Sequence, residues 1–555
     1  MKLTRRDLLV WSAGAAAGLL ATPVPWKVLD DISIRSQNWP WIPQPARGPV
    51  ENKRSFCTLC PKGCGLRLRM AAGWPVGVAG SKTHPITHGA LCPLAFAAHQ
   101  LNWHPQRLRH VHHQSSNSSW PEARNAFAKA CNEGPIVIFD GYPGRAASAV
   151  LESFAEKNGG YVAVPSREAR GLLPYERWTG VPAGCLAYDL ENTKTIVSFG
   201  SPLLDGWGSP GRFTRLWADR AAGMTDPQLR LIQVDSSLTR TAARAWRWIT
   251  ISEGSESSLA SGLARALLEQ NLVPQRGLLP PVRVADSAAQ AGLSPEEIRE
   301  LARVIATNSP TLVIASNDNP SIAALNVLLG SVGARGGIVR RSGIGTVARS
   351  CEASVQKPRA VVIDASVPWE FVPQMDGEVF RFAAWDGGPT NADWLLPAPG
   401  FLEELTDVPT ATGCSIETYA VAAKLLEPAS EIRGAAQFLA DLDPHLTPAE
   451  KIIDARCEGL LRRRTGFVHA IDATPIRNFD SVQKLKDQLW NGAVWAGEPA
   501  PPGNLRCELK GWPHEQASGR AAAWDDAWTA PVMPTLATKL FREADLREIP
   551  GRRFA

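Results

Sequence analysis

Four of the ten cysteines in this 555-residue chain stand between positions 57 and 92. Residues 55–65 read Ser-Phe-Cys-Thr-Leu-Cys-Pro-Lys-Gly-Cys-Gly, so Cys57, Cys60 and Cys64 form a C-x2-C-x3-C run. Cys92 follows in Leu91-Cys92-Pro93, after twenty-seven intervening residues. A 4Fe-4S cubane needs four thiolates converging on one small volume, and this spacing supplies three from one loop and a fourth from a distance. Gly63 and Gly65 relieve crowding of the backbone and leave amides near the sulfurs. Tetrahedral zinc also accepts four thiolates, but its sites more often pair two C-x2-C units, and here the second half is a single cysteine. The spacing favours the cluster. The remaining cysteines (131, 185, 351, 414, 457 and 507) are scattered, as buried structural thiols would be. A small disulfide scaffold is excluded by length and spacing.

The elements that would position such a centre alternate between strand and helix. Residues 135–140 (PIVIFD) are an apolar run ended by Gly141 and Pro143, and residues 145–157 then have helical character. Further apolar runs occur at 195–199, 229–235, 310–316 and 358–366. Residues 294–305 read as a helix, with Ser294 as its cap, Pro295 at the first position and Glu297 closing a capping box. Ile298, Leu301, Ala302 and Ile305 share one face of it. Apolar strands alternating with helices predict parallel sheets covered on both sides. Ligands of such sheets lie beyond the carboxyl ends of the strands, which points to Asp140-Gly141, Gly200-Ser201 and Asp235-Ser236. Ordinary strand-terminating turns account for the same residues. His104, His110, His112 and His113 cluster after Cys92; the last three could touch a haem or a metal, and a solvated loop is the simpler reading.

The first thirty residues read as a targeting segment. Lys2, Arg5 and Arg6 precede a moderately apolar stretch, Leu8 to Ala21, too short to span a bilayer comfortably. Thr4-Arg5-Arg6-Asp7-Leu8-Leu9 predicts a twin-arginine export signal or anchor, a route that carries folded, cofactor-loaded proteins. The length implies several domains. A net charge of +5 is small for this length and argues against a nucleic-acid binder. Twenty tryptophans suit either core anchors or extensive subunit interfaces. Walker loops, G-x-S-x-G elbows and H-E-x-x-H helices are absent from the sequence.

Over roughly residues 50–440 the chain resembles the molybdopterin oxidoreductase family, the bis-pterin relatives of formate dehydrogenase and nitrate reductase. The cysteine element is similar to that family's N-terminal cluster domain, and Pro105-Gln106-Arg107-Leu108 to the P-x-R-L that follows it. Tyr188 to Asn192 through Gly200 resembles the strand-to-pterin-loop segment, and Val234-Asp235 through Thr241-Ala242 the V-D-P-R-x-T-x-T-A element. Gly254-Ser255-Glu256 stands where the family has G-T-D, while Leu325-Asn326 through Gly337, and Ala392 to Pro397 with Glu403, resemble two later segments. The resemblance implies an α/β fold: a small iron–sulfur domain (50–108), doubly wound parallel-sheet domains (109–440) and a shortened or replaced, irregular C-terminal region (441–555). Gly200, Ser201, Asp235 and Ser236 would be remnants of the pterin loops.

The departures from the family matter as much. Its metal ligand follows an A-R-x element, but here Ala169-Arg170-Gly171 leads to Leu172, which cannot ligate; Ser166 and Cys185 are the nearest alternatives. The family often has Lys two residues after the fourth cysteine, between cluster and pterin, where this chain has Leu94-Ala95. Asp235-Ser236-Ser237 lacks the motif's arginine. These losses resemble the metal-free, pterin-like subunits of menaquinone reductase and alternative complex III. That resemblance implies an exported electron-transfer subunit with one 4Fe-4S cluster, no catalytic residues of its own and a degenerate molybdopterin site. Its partners would be a ferredoxin-like iron–sulfur subunit, a polytopic quinol-binding membrane subunit and a multihaem cytochrome c, at the periplasmic face of the membrane. An active molybdenum or tungsten enzyme, and a structural subunit with zinc or a vestigial site, are the alternatives.

Overall fold

A computed structural model of the chain describes residues 4–22, scattered positions up to 28, and most of 48–513. Residues 222–227, 342–356, 365–375, 386–391, 471–474 and 514–555 lie outside the described residues, and Cys351 with them.

The first layer is a three-stranded antiparallel sheet of Val50–Phe56, Gly65–Ala71 and Trp74–Gly80. Leu66, Leu68 and Met70 alternate onto its buried face, the period-two pattern of a sheet covered on one side.

Two parallel sheets follow, as the apolar runs predict. The chain lays down Ile136–Asp140 and moves outward to Gly159–Ala163. It then leaves for a second sheet and returns at Ala360–Ile363, on the other side of Ile136–Asp140, continuing to Glu378–Ala383 and Trp394–Pro397. Val111–His113 and Ser116–Ser118 add two antiparallel strands at the edge. The second sheet repeats this logic. Thr195–Phe199 is followed outward by Arg230–Asp235 and Arg247–Thr250, and Thr311–Ala315 returns on the other side of Thr195–Phe199. Ile136–Asp140, Thr195–Phe199 and Thr311–Ala315 are buried at every residue because helices cover both faces. The helix Pro295–Thr307 has the expected capping box at Ser294 and Glu297 and buries Ile298, Leu301, Ala302 and Ile305. Each sheet has a point where the strand order reverses, between Ile136–Asp140 and Ala360–Ile363 in one, and between Thr195–Phe199 and Thr311–Ala315 in the other. Such reversals open a crevice at the carboxyl ends of the strands.

Residues 449–499 hold regular elements, a correction to the expected irregular tail, while the described residues from 501 to 513 form no helix or strand. Helices Ala449–Arg463 and Val482–Trp490 are present. Strands Phe467–His469 and Val494–Pro499 join Thr406–Pro409 and Ile416–Ala422 in a four-stranded antiparallel sheet. Phe467–His469 is too short to show a period in sequence, and it gains its identity from pairing with Val494–Pro499, which in turn pairs with Tyr419 and its neighbours. At the other end, Arg5–Ala21 is a helix capped by Thr4 and Asp7 that buries none of its residues. Among the described residues, no helix is long and apolar enough to cross a membrane.

Candidate iron–sulfur centre

The register of the first two strands ends on the pair Phe56 and Gly65, so residues 57–64 are the loop between them. The Cys57 N–H donates to the Cys64 carbonyl at 2.9 Å and closes the loop's neck. Inside it, Gly63 adopts φ +58°, a left-handed conformation that suits glycine. A Cβ at Gly63 would also stand 2.1 Å from Val408 Cγ1, so the antiparallel C-terminal sheet caps this loop closely. Cys92 caps the short helix Pro93–Ala97 and packs with Cys57, Cys64 and Leu91 in the same apolar cluster.

His84 holds the loop from below. Its Nδ1 accepts from the N–H groups of Ile86 (3.3 Å) and Thr87 (3.2 Å), which leaves the proton on Nε2, facing the Gly63 carbonyl. Burial holds the imidazole at about 3, far below its ordinary value, with His88 adding to the effect.

The four cysteines lie within electrostatic reach of one another. Burial is the largest cause raising the Cys57, Cys60 and Cys64 thiols, and neighbouring cysteines, Cys92 among them, add to it. Thiols raised in this way need a cationic centre to become thiolates together. Among the described residues, no three His, Cys, Asp or Glu side chains have the spacing of ligands to one metal ion. The fit to a cluster rests on the donors aimed at the sulfurs. The Leu59 N–H faces Cys57 Sγ and the Lys62 N–H faces Cys60 Sγ, while the buried Ser209 hydroxyl, which has no hydrogen-bond partner, lies beside Cys64. Donors of this kind stabilise a thiolate-bound cluster and tune its potential.

Ser209 arrives from the second parallel sheet. The loop after Phe199 runs through Gly200 and Ser201 to Ser209, where helix Pro210–Ala221 begins. Gly211 lies against the Ala90 carbonyl, where a Cβ would stand at 2.5 Å, so the positive end of this helix meets the segment that carries Cys92. Lys62 and Glu168 form a buried ion pair across the same boundary. Burial draws the Lys62 ammonium down to about 8, against the pull of Cys60, Cys414 and Cys64. Glu168 also accepts from the Gly208 N–H at 3.1 Å and lines a small cavity with Trp207, Ser209 and Arg212. The first parallel sheet contributes Tyr142, just beyond Asp140. Its hydroxyl is buried and would lie 4.0 Å from a Cβ on Gly63.

The other expected positions are placed as follows. Gly200 (φ +59°) and Ser201 sit at the reversal point of the second sheet, where Ser316 Oγ donates to Ser201 Oγ at 3.0 Å. Asp235 and Ser236 end the neighbouring strand; Asp235 accepts from Gln233 (3.1 Å) and the Ser237 N–H (3.3 Å), while Ser236 is exposed. Leu172 is fully buried in the apolar core of this domain. Ser166 has a buried hydroxyl without a hydrogen-bond partner, and the Cys185 carbonyl accepts from Arg341. His112 and His113 lie on a strand paired on both sides, second from the edge of its sheet, not in a loop, and His113 stacks on Trp394 at 4.3 Å. Arg107 and Glu403, from two separate motifs, form a buried ion pair at 2.5 Å. Sequence reading passed over Lys62, His84, Tyr142, Glu168 and Ser209. Lys62 had a signal, since it lies inside the cysteine run; the others reach the site only through long-range packing. A lysine does stand beside the sulfurs, then, but from within the loop and not after the fourth cysteine.

The description Molybdopterin oxidoreductase Fe4S4 domain matches residues 51–101, a segment that holds all four cysteines. Over 79% of its length the chain is 29% identical to the menaquinone reductase, molybdopterin-binding-like subunit of Nitratidesulfovibrio vulgaris, and the alignment spans 71% of that protein. The chain is similar to molybdopterin oxidoreductases over most of its length, and its cysteine segment matches that family's iron–sulfur domain. The nitrate-inducible formate dehydrogenase major subunit of Escherichia coli is 25% identical over 49% of this chain, and only 29% of that enzyme is covered. Nitrate reductase of Klebsiella oxytoca is 25% identical over 39% of the chain and 26% of its own length. Acetylene hydratase from Pelobacter acetylenicus shares the fold, with a TM-score of 0.59 over 80% of this chain and 74% of that one, at 13% identity. The two parallel sheets behind an N-terminal iron–sulfur domain are therefore the fold of this family.

Proposed function

We propose that this chain is an exported iron–sulfur subunit of a membrane-associated respiratory oxidoreductase, with one 4Fe-4S cluster on Cys57, Cys60, Cys64 and Cys92 and a degenerate molybdopterin site. The observation that carries the reading is the meeting of four cysteines with two sulfur-directed N–H donors, Leu59 and Lys62, and the unpartnered Ser209 hydroxyl in one buried place. A bound cluster would supply one-electron transfer. The chain's own residues exclude water from the sulfurs, supply donors to them and set a lysine charge beside them. Leu172, packed in an apolar core where the family places a metal ligand, supports the loss of the molybdenum site. The similarity to a menaquinone reductase subunit supports membership of a quinone-linked complex. Its partners in this reading are a ferredoxin-like iron–sulfur subunit, a quinol-binding membrane subunit and a multihaem cytochrome c. The Arg5-Arg6 pair supports export by the twin-arginine route to the periplasmic face.

The test is metal content per chain, measured on protein purified anaerobically from its native host. About four irons without molybdenum or tungsten is the expected result. Near one molybdenum or tungsten per chain overturns it and directs attention to Ser166. Zinc without iron overturns the cluster assignment.

A further inference from the structure

The carboxyl end of the first parallel sheet holds a side chain that none of the motifs uses. Tyr142 is 2% exposed, and its hydroxyl has no hydrogen-bond partner. A buried hydroxyl left unpaired is costly, so a fold that retains one has a reason to do so.

The surroundings of Tyr142 fix the direction of that hydroxyl. Its own N–H donates to Asp140 Oδ1 at 2.9 Å, which ties the residue to the end of its strand. The Arg145 guanidinium lies over its ring, 4.8 Å from the centroid. Arg145 is itself held between Asp140 (3.3 Å) and Asp364 (2.7 Å), across the reversal point of the sheet, and Tyr161 donates to Asp140 Oδ2 at 2.8 Å. The ring is thus clamped from behind. Its free end faces the cysteine loop, 4.0 Å from where a Cβ on Gly63 would stand, and it feels the charges of Cys60 and Cys57. Burial, the largest cause, pushes the phenol well above its ordinary range, so it stays protonated and remains a donor.

We propose that the Tyr142 hydroxyl donates a hydrogen bond to cluster sulfur on the Cys57–Cys60 side, and so raises the cluster's reduction potential. The inference rests on the reading that these cysteines hold a cluster. Reduction adds negative charge to the sulfurs, and a fixed donor stabilises the reduced form more than the oxidised one. Arg145 is a positioning residue here, acting through the tyrosine ring.

The experiment is a redox titration of the full-length, cluster-loaded protein, followed by electron paramagnetic resonance, with proton coupling measured in H2O and D2O. Tyr142→Phe should retain its iron, titrate at a more negative potential and lose one exchangeable proton coupling. A loaded Tyr142→Phe protein with unchanged potential and unchanged coupling overturns the proposal. Should that variant fail to take up iron, 3,5-difluorotyrosine at position 142 keeps the ring and strengthens the donor. A more positive potential then supports the proposal, and an unchanged or more negative one overturns it. Absence of iron from the wild-type protein is a separate outcome, which overturns the cluster reading and this inference with it.

Discussion

Lys62 and Glu168 face each other as a buried ion pair between the cysteine loop and the second parallel-sheet domain, with side-chain exposures of 6% and 2%. Each neutralises a charge that would otherwise be stranded in an apolar boundary. Glu168→Gln leaves the ammonium unpaired and should destabilise the loaded protein by roughly 3–5 kcal/mol. The double change Lys62→Met with Glu168→Met should recover most of that loss. Chemical unfolding of the three variants checks both statements, and a double variant no better than the single one contradicts them.

The four cysteines are expected to behave as a unit. Cys57→Ser or Cys92→Ser should strip most of the iron from the anaerobically purified chain. Cys131→Ser, at a half-buried position far from the loop in sequence, should leave the iron content as it is. Equal iron in all three variants would assign the metal elsewhere.

Gly63 carries two constraints at once, a φ of +58° and the close approach of Val408. Gly63→Ala should cost about 1–2 kcal/mol for the left-handed backbone alone and more for the collision. Adding Val408→Ala should relieve the collision and leave the backbone cost. Unfolding midpoints of the single and double variants separate the two contributions.

His84 gives the site a defined response to acid. Its value of about 3 in the folded protein lies below the ordinary 6.5, so the unfolded chain binds the extra proton first as pH falls. The stabilising effect of the neutral imidazole is present above pH 6.5 and is lost from there downward, until the folded protein also takes up the proton near 3. By pH 5 the loss should reach about 2 kcal/mol. Unfolding measured from pH 7.5 to 5 should therefore be less steep in His84→Gln than in the wild-type protein. Identical slopes would show that His84 does not stay neutral.

What sequence reading captures here is local. The cysteine run is legible because three ligands share one loop, and helix Pro295–Thr307 because its cap, its first proline and its apolar stripe lie within one window. Strands Ile136–Asp140 and Thr195–Phe199 are legible because burial on both faces makes them continuously apolar. The pairing of Ala360–Ile363 with Ile136–Asp140 is not legible, since nothing in either strand specifies so distant a neighbour. Lys62 with Glu168 and Arg107 with Glu403 escape for the same reason: each partner reads as an ordinary charge until the chain is folded. The C-terminal sheet escapes because Phe467–His469 has only three residues, fewer than any period needs.

The interruption of the first parallel sheet has a consequence for how the protein is made. Cys92 leaves the ribosome long before Ala360, which completes the reversal point, and before Val408, which covers the cysteine loop. At ordinary rates of translation that interval lasts on the order of tens of seconds. Throughout it the loop lacks the cover that Val408 later provides. Once strand Thr406–Pro409 is in place, Val408 lies over the loop. The order of emergence thus gives cluster insertion a window during synthesis, and a chain that misses it must reopen the Val408 contact to be loaded.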